Sequence, residues 1–286
     1  MGHLEKSLSI FRATLGNYNI SIGMVLNNIG ALYQDQQNTS KALEYFNNAL
    51  GIYMNCVSEN HPDIAMILAN IGETHYKLRR YNEALEKLEK TLSITTAAFG
   101  ADCPQNCINL NAIGKTWHTL KNYNRAHEFY QKALRIADIH CHDRSLKIAC
   151  YSNLGLLALD RGNYSEAMDY CLKGENLTIE LYGDFHPSLF YIYRNLVDIF
   201  RFMNKPYRVV DYLIKLNHVQ RKLYGEANPE YIETLCTIGK EYMHIGDRTR
   251  AEVYLQRAFD LCSHHLGPNN PLTIAIDAIL RQIKNT

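Results

Sequence analysis

Asparagine recurs at a regular interval along this chain, and its amide is well suited to binding a peptide. One position in each repeat of about 42 residues reads, in order, Asn28, Asn70, Ala112, Asn153, Asn195 and Thr237. An amide offers both a hydrogen-bond donor and an acceptor, so a row of them can hold an extended peptide backbone without reading its side chains. Asparagine is a poor helix former, which favours a use for the four. In the alternative, asparagine is simply tolerated on an exposed helix face.

A second set of candidate binding residues is basic or aromatic: Lys115, Tyr191, Arg194, Arg201 and Lys240. Arg194 and Arg201 lie two turns apart on one predicted helix face, so they could bracket an acidic group on a peptide. Tyr191 would supply an apolar anchor beside them. In the alternative, Asp198 neutralises both arginines.

Patterns for catalysis or metal binding are missing. No glycine-rich phosphate loop, nucleophile elbow or His-Glu-x-x-His helix is present. The best metal candidates share two loops that should stack on one edge, without paired Cys-x-x-Cys spacing: Cys103, Cys107, His140, Cys141 and His142. Other cysteines are interpreted as small buried hydrophobic residues: Cys56, Cys150, Cys171, Cys236 and Cys262. We expect no enzyme activity, no cofactor and no metal.

Helices must position the binding residues, as the glycines and prolines indicate. A ladder of glycines follows the same period: Gly16, Gly100, Gly183, Gly225 and Gly267. Prolines follow it independently: Pro62, Pro104, Pro187, Pro229 and Pro271. Proline suits the first turn of a helix, with Asn228 and Asn270 as N-caps, and a left-handed glycine closes the preceding helix.

Small residues mark three further positions where helices should approach closely. The first is Gly30, Gly72, Gly114, Gly155 and Gly239; the second is Ala42, Ala84, Ala126, Ala167 and Ala251; the third is Ala49, Thr91, Ala133, Gly174 and Ala258. Short polar turns separate the two helices of each period. Each repeat is therefore predicted to be a pair of antiparallel helices that packs on the next pair.

These positions resemble the tetratricopeptide repeat signature. The long period, with segments such as His61-Pro62-Asp63 and Tyr81-Asn82-Glu83-Ala84, is similar to the subclass found in kinesin light chains and nephrocystin-3-type proteins. The resemblance implies an all-α, right-handed superhelical solenoid with a concave groove that binds peptides. The lysine positions of the chaperone-tail clamp hold Asn27, Met66 and Ile108 here, which disfavours that ligand.

We predict a single repeat array over residues 1–286. Its parts are a half repeat at 1–16, with one helix over 4–15, then full repeats at 17–58, 59–100, 101–141, 142–183, 184–225 and 226–267, and a half repeat or capping helix at 268–286. The unpaired terminal helices indicate a fragment of a longer array or a native cap. The repeat at 184–225 is degenerate, because Val197, Val209 and Leu216 replace its small residues. A local change in curvature is expected there, unless this is plain sequence drift.

Composition narrows the possible partners. The chain has 286 residues, a net charge of +1 and 47% hydrophobic residues, without a run of basic residues, a signal sequence or a long apolar segment. These features argue against nucleic-acid and membrane partners and favour a cytoplasmic protein.

The most economical hypothesis is a protein–protein interaction scaffold that binds an extended peptide or a partner helix in its groove. A second hypothesis is a regulatory or targeting array of a larger enzyme whose catalytic domain lies outside this chain. A third is a peptide sensor that changes curvature on binding.

Overall fold

The fold is all-α, as predicted. The computed structural model describes residues 19–140 and 143–284, together with positions 6, 9, 10 and 14. The described residues form thirteen helices and no strand. Their bounds are α1 Ile20–Asp35, α2 Thr39–Cys56, α3 Pro62–Lys77, α4 Tyr81–Phe99, α5 Pro104–Thr119, α6 Tyr123–Ile139, α7 Ser145–Asp160, α8 Tyr164–Tyr182, α9 Pro187–Phe202, α10 Pro206–Tyr224, α11 Pro229–His244, α12 Arg248–His265 and α13 Pro271–Lys284. Most of the helix predicted over 4–15 lies outside the described residues.

Helix starts follow the prolines of the ladder. Each of the five is the first residue of a helix. The Asn228 side chain accepts hydrogen bonds from the backbone N–H groups of Glu230 (2.8 Å) and Tyr231 (3.3 Å), as an N-cap should. His61 and His186 fill the same place through Nδ1, at 3.2 and 3.3 Å from the capped nitrogens. These two histidines are therefore N-caps of the helices that follow them.

Helix ends follow the glycines, with one difference from the expected geometry. Gly100, Gly183 and Gly225 have φ of +89°, +78° and +80°, so the predicted positive φ is confirmed. Their ψ values of 160°, −176° and 173° place them outside the left-handed helical region. They occupy an extended region with positive φ that is essentially restricted to glycine.

The turn inside each helix pair also needs a positive φ. One position per repeat adopts it: Gln37, Arg79, Lys121, Gly162, Asn204 and Gly246. Four of these six residues carry a side chain, although left-handed backbone costs such residues about 1 kcal/mol or more. Sequence reasoning located these turns as polar segments but did not identify the strained position.

Replacing Lys121 by glycine is expected to raise the free energy of unfolding by about 0.5 kcal/mol. The left-handed strain at φ +59° is relieved, and greater freedom of the unfolded chain offsets part of that gain. Lys121 is exposed, so its removal costs little packing. Urea unfolding checks this, with Gly162→Ala as the converse change, which should destabilise. A Lys121→Gly protein less stable than wild type would contradict the prediction.

The helices divide into two compact units, residues 1–146 and 147–286. In unit 1 the pairs α1–α2, α3–α4 and α5–α6 stack in order, and α3 also touches the first helices of the pairs before and after it. In unit 2, α9–α10 and α11–α12 stack in the same way, with α13 against α12. The apolar core of each unit lies between successive helices.

Glycine in the first helix of a pair makes room for a larger side chain in the second. A Cβ atom at Gly30, Gly72, Gly114, Gly155 or Gly239 would lie 2.5–2.9 Å from Phe46, Leu88, Tyr130, Cys171 or Leu255, respectively. In the degenerate repeat Val197, Val209 and Leu216 are all buried in one apolar cluster. The change of curvature expected at 184–225 stays a prediction.

Most cysteines are buried as expected. Cys150, Cys171, Cys236 and Cys262 are buried within helices, whereas Cys56, the last residue of α2, is exposed. The expectation for Cys56 was therefore wrong, because the end of a helix projects beyond the packed interface.

His75 and Trp117 occupy the same position of successive repeats, and each buries a ring nitrogen that finds no partner among the described residues. The atoms are Nδ1 of His75 and Nε1 of Trp117. Burial lowers the pKa of His75 below its ordinary value of 6.5. Trp117 packs against Leu85, Leu88 and Ile113, which are apolar and offer its ring nitrogen no side-chain hydrogen-bond partner.

Replacing His75 by phenylalanine should raise the free energy of unfolding at neutral pH by about 1 kcal/mol, since an unpaired buried polar atom is removed. The pH dependence should also change. Because the native pKa is lowered, the unfolded chain binds the proton first, so wild-type stability falls as pH drops below 6.5. The variant should lose less over this window in urea unfolding. The exposed His244→Phe is the control; equal losses in wild type and His75→Phe would contradict the prediction.

Candidate functional site

A cavity of about 550 Å³ opens between α3, α4 and α5 in unit 1. Its rim is apolar: Met66, Phe99 and Ile108 remain 49%, 58% and 54% exposed. Met24, one repeat before Met66 at the same position, is likewise 52% exposed. We call this space the apolar cavity. Its size falls within the range of typical ligand pockets.

Polar groups line the wall of the apolar cavity and are held by a buried network. The hydroxyl of Thr95 donates to Oδ1 of Asn106 and accepts from Nδ2 of Asn109 at 3.1 Å. Thr91 donates to the carbonyl of Lys87 at 2.9 Å. The network joins α4 to α5, so this wall is rigid and its hydrogen bonds are internally satisfied.

Two of the predicted binding residues line the apolar cavity. Asn70 is half-buried, and its Nδ2 donates to Oδ1 of Asn27 at 3.0 Å. Lys115 is exposed and holds its Nζ 4.7 Å from the ring centroid of Tyr76. The Tyr76 hydroxyl lies 2.9 Å from that of Thr119. The amide and the ammonium are therefore fixed on the cavity wall by neighbouring side chains.

A second cavity, of about 360 Å³, lies between α9, α10 and α11 in unit 2. Its wall carries five charged residues: Arg194, Asp198, Arg201, Glu230 and Glu233. Gln220 also lines it and is 3% exposed. We call this space the charged cavity.

The two predicted arginines of the charged cavity differ in their partners. Arg201 donates to Oε1 of Glu241 through Nη2 (2.8 Å) and Nε (3.1 Å), and Asp198 lies 3.8 Å from its Nη1. Arg194 forms no ion pair with any described residue and lies over the Phe190 ring at 5.6 Å. Asp198 therefore does not neutralise both arginines, and the acid that holds Arg201 comes from α11.

The two cavities occupy the same place in the repeat. Most wall positions of the charged cavity lie three repeats after a wall position of the apolar cavity, among them the pairs Ala69 and Arg194, Glu73 and Asp198, Thr95 and Gln220, Ile108 and Glu233, and Asn109 and Thr234. Two of these pairs, Ala69 and Arg194 and Ile108 and Glu233, replace an apolar residue of unit 1 by a charged residue in unit 2. Equivalent positions of the repeat therefore form an apolar cavity in unit 1 and a charged cavity in unit 2.

The remaining predicted residues are spread over both units. Asn28 is exposed in unit 1, and Asn153 is half-buried in unit 2. Asn195 is half-buried and hydrogen-bonded to the Cys171 thiol, whose pKa burial raises to about 12. Tyr191 is 62% exposed and meets the Phe190 ring edge to face at 5.2 Å. Lys240 is exposed and hydrogen-bonds Cys236.

Sequence reasoning missed the residues that distinguish the two cavities. It did not identify four of them: Thr95, Asn109, Gln220 and Glu241. An alignment of the repeats by position pairs Thr95 with Gln220 and would have shown this substitution. Their roles depend on partners from other helices, which spacing within one helix does not reveal.

No group of histidine, cysteine or acidic residues within 19–140 and 143–284 is arranged to hold a metal. Of the candidate metal ligands weighed in the sequence, Cys141 and His142 lie outside the described residues, and His140 Nε2 contacts the carbonyl of Asp102 at 2.6 Å. None of the helices that the structure describes is both long and apolar enough to cross a membrane.

Comparisons with known proteins agree with the repeat architecture. Two family models, both described as tetratricopeptide repeat, match residues 2–55 and 63–138 and residues 148–188 and 232–272. No curated protein sequence matches the chain significantly. Similar solved structures include the APC/C hetero-tetramer Cut9–Hcn1 (TM-score 0.64, 12% identity, covering 98% of this chain and 45% of that one). Pseudomonas aeruginosa PilF has a TM-score of 0.59 and 17% identity, and the match covers 90% of this chain and 97% of PilF. The apo form of RapI has a TM-score of 0.62 and 16% identity, and the match covers 90% of this chain and 89% of RapI.

These structural likenesses are below 20% identity and bear on the fold alone. The chain spans less than half the length of the Cut9–Hcn1 chain that it matches. The two family models, in contrast, together cover most of the sequence. The chain belongs to the tetratricopeptide repeat family.

Proposed function

We propose that this protein is an interaction scaffold that binds an extended segment of a protein partner along the first helices of its repeats. The apolar cavity carries this proposal. It combines exposed apolar side chains at its rim with fixed polar groups on its wall, which is the arrangement expected of a peptide-binding surface.

The apolar rim supplies the binding energy in this proposal. Met24, Met66 and Ile108 repeat at one position of three successive repeats, so they form a row along unit 1. A partner's apolar side chain that covers this row removes its exposed surface from water. Methionine is flexible and polarisable, so the row adapts to side chains of different shape.

Asn70 and Lys115 supply orientation. The side-chain oxygen Oδ1 of Asn70 can accept a hydrogen bond from a peptide N–H while the Nδ2 group of the same amide donates to Asn27. Lys115 adds a positive charge to a cavity wall that also carries the acidic residues Glu73 and Asp63. Asn28, Asn153, Asn195, Tyr191, Arg194, Arg201 and Lys240 extend the proposed binding surface in their own units.

Two finer expectations belong to this proposal: the kinesin-light-chain-like subclass and a cytoplasmic location. The long period supports the first, and a near-neutral chain with a net charge of +1 is compatible with the second. The alternative of a targeting array for a larger enzyme uses the same surface. Sequence flanking residues 1 and 286 distinguishes it, because a catalytic domain there would favour the alternative.

Selection of short peptides displayed on phage, followed by fluorescence polarisation with the selected peptides, tests the proposal. Met66→Glu should weaken binding by about tenfold or more, because a carboxylate then faces the apolar side chain of the peptide. Asn70→Ala should weaken it by about fivefold through loss of one hydrogen bond. Asn153→Ala and Arg194→Ala report whether the peptide also contacts unit 2.

Met54→Glu is the matched control for Met66→Glu. Met54 has the same 49% exposure but lies on α2, away from the apolar cavity, so binding should be unchanged. Selected peptides that bind Met66→Glu and Asn70→Ala as tightly as wild type would refute the role of the apolar cavity. Loss of binding in Met54→Glu as well would indicate a general effect on the fold.

A further inference from the structure

Gln220 has an unsatisfied acceptor in the wall of the charged cavity. Its Nε2 donates to the carbonyl of Glu230 at 3.4 Å, while Oε1 has no hydrogen-bond partner among the described residues. The contact with a carbonyl fixes the orientation of the amide, because the reversed orientation would set two acceptors against each other. The unsatisfied atom is therefore the acceptor Oε1, and an N–H group of a ligand can donate a hydrogen bond to it.

Comparison with unit 1 explains why this acceptor has no partner. Thr95, the counterpart of Gln220, is satisfied by Asn106 and Asn109. In unit 2 these positions hold Tyr231 and Thr234, and the Thr234 hydroxyl donates to its own helix, to the carbonyl of Glu230 at 2.9 Å. The neighbouring helix thus offers no donor to Gln220. An unsatisfied buried amide is costly, so a ligand that supplies the donor gains from it.

The charges around Gln220 favour a cation. Arg201 is held by Glu241 and lies near Asp198, so two carboxylates share one guanidinium. Glu233 lines the charged cavity and forms no ion pair with any described residue. Among the described residues of the wall, Arg194 is the one cation without a carboxylate partner, and it lies over the Phe190 ring. Carboxylates therefore outnumber arginines, and the balance disfavours the acidic peptide group expected from the arginine spacing alone.

We propose that the charged cavity of unit 2 binds a basic side chain of a protein partner, the ammonium of a lysine or the guanidinium of an arginine. An N–H of this group donates to Oε1 of Gln220, and Glu233 and Asp198 balance its charge. The proposal extends the scaffold function above to a second cavity with a different ligand chemistry. The arms of the test distinguish lysine from arginine.

Small amides test this cavity without an apolar anchor or a long peptide. The probes are Nα-acetyl-arginine amide and Nα-acetyl-lysine amide, with the citrulline and glutamate analogues as neutral and acidic controls. The side-chain amide signal of Gln220 in nitrogen–proton NMR spectra is followed during titration and is assigned by its loss in Gln220→Leu. We expect saturable shifts with at least one basic probe, an affinity that falls with added salt, and no shift with either control.

Two substitutions that each neutralise one charge sharpen the test. Glu233→Gln should weaken the basic probe by about fivefold, and Arg194→Gln should strengthen it by about twofold or more, because a repelling charge is removed. Both residues are exposed, so neither change should prevent folding. Glu44→Gln, an exposed acid on α2 outside the charged cavity, is the control and should leave the affinity unchanged.

Gln220→Leu should fold, since it removes an unsatisfied buried atom, and it should abolish saturable binding of the basic probes to the cavity. The proposal is overturned if the glutamate probe binds, if Arg194→Gln weakens the basic probes, or if no basic probe moves the Gln220 signal. Met66→Glu is expected to leave probe binding intact. A failure of this inference is thus distinguishable from a failure of the apolar cavity as a peptide site.

Discussion

Replacing Gly114 by alanine is expected to lower the free energy of unfolding by about 1–2 kcal/mol. A Cβ atom there would lie 2.6 Å from two ring carbons of Tyr130, closer than packed atoms approach. Tyr130 is 1% exposed, so its ring has no free space into which to move. Overpacking of this kind costs about 1–3 kcal/mol and exceeds the roughly 1 kcal/mol by which alanine favours a helix over glycine.

Gly51→Ala is the matched control. Gly51 also lies within a helix, but nothing surrounds the place of its missing Cβ within 4 Å. This variant should gain about 0.5–1 kcal/mol from helix propensity alone. The sign of the effect therefore separates a glycine required for packing from a glycine that is merely tolerated.

Urea unfolding followed by circular dichroism and by fluorescence measures both variants. The chain has a single tryptophan, Trp117, which lies in unit 1 on the same helix as Gly114 and reports the unfolding of that unit. If Gly114→Ala proved as stable as Gly51→Ala, the close approach of α5 and α6 would not depend on the glycine.

The sequence predicted the periodic features of the fold well, because each depends on residues close in the chain. Proline at helix starts and glycine at helix ends act through their own backbone, so spacing alone located them. The small residue at Gly114 was also predicted. Its partner Tyr130 was not, because the pairing depends on how two helices cross.

The candidate site was predicted only in part for the same reason. Asn70, Lys115, Arg194 and Arg201 were identified from helix faces, and the structure places them in two cavities. The interactions that set their chemistry come from other repeats: Glu241, which holds Arg201, is 40 residues away in the chain. The role of a residue that departs from the repeat pattern therefore becomes clear only when its partners on other helices are known.

Glu175 is a departure of this kind, with a large expected effect. It is 4% exposed at a position that holds Leu50, Leu92 and Leu134 in earlier repeats. Its carboxylate accepts from Nζ of Lys215 at 2.6 Å and from the hydroxyl of Tyr212 at 3.1 Å. Burial and, after it, the Glu175 carboxylate raise the pKa of Tyr212, so this hydroxyl stays a donor. A buried acid is tolerated here because two donors from α10 meet it.

Replacing Lys215 by methionine should lower the free energy of unfolding by roughly 2–3 kcal/mol. The variant leaves Glu175 buried with its charge uncompensated, and loss of one partner of a buried ion pair typically costs about 3–5 kcal/mol. We expect less than this range because 47% of the Lys215 side chain is exposed, so water screens part of the interaction. Methionine preserves most of the apolar stem of lysine, which restricts the change to the charge.

The double variant Glu175→Gln/Lys215→Met separates the charge from the packing. Glutamine still accepts the hydrogen bond from Tyr212 but carries no charge, so the double variant should be more stable than Lys215→Met alone by about 1 kcal/mol or more. Lys173→Met, which removes an exposed lysine paired with Asp169 on the same helix as Glu175, should cost at most about 0.5 kcal/mol. If the double variant were less stable than Lys215→Met by the full cost of Glu175→Gln, the two residues would be energetically independent. In that case burial, and not the ion pair, would have to account for the acid at position 175.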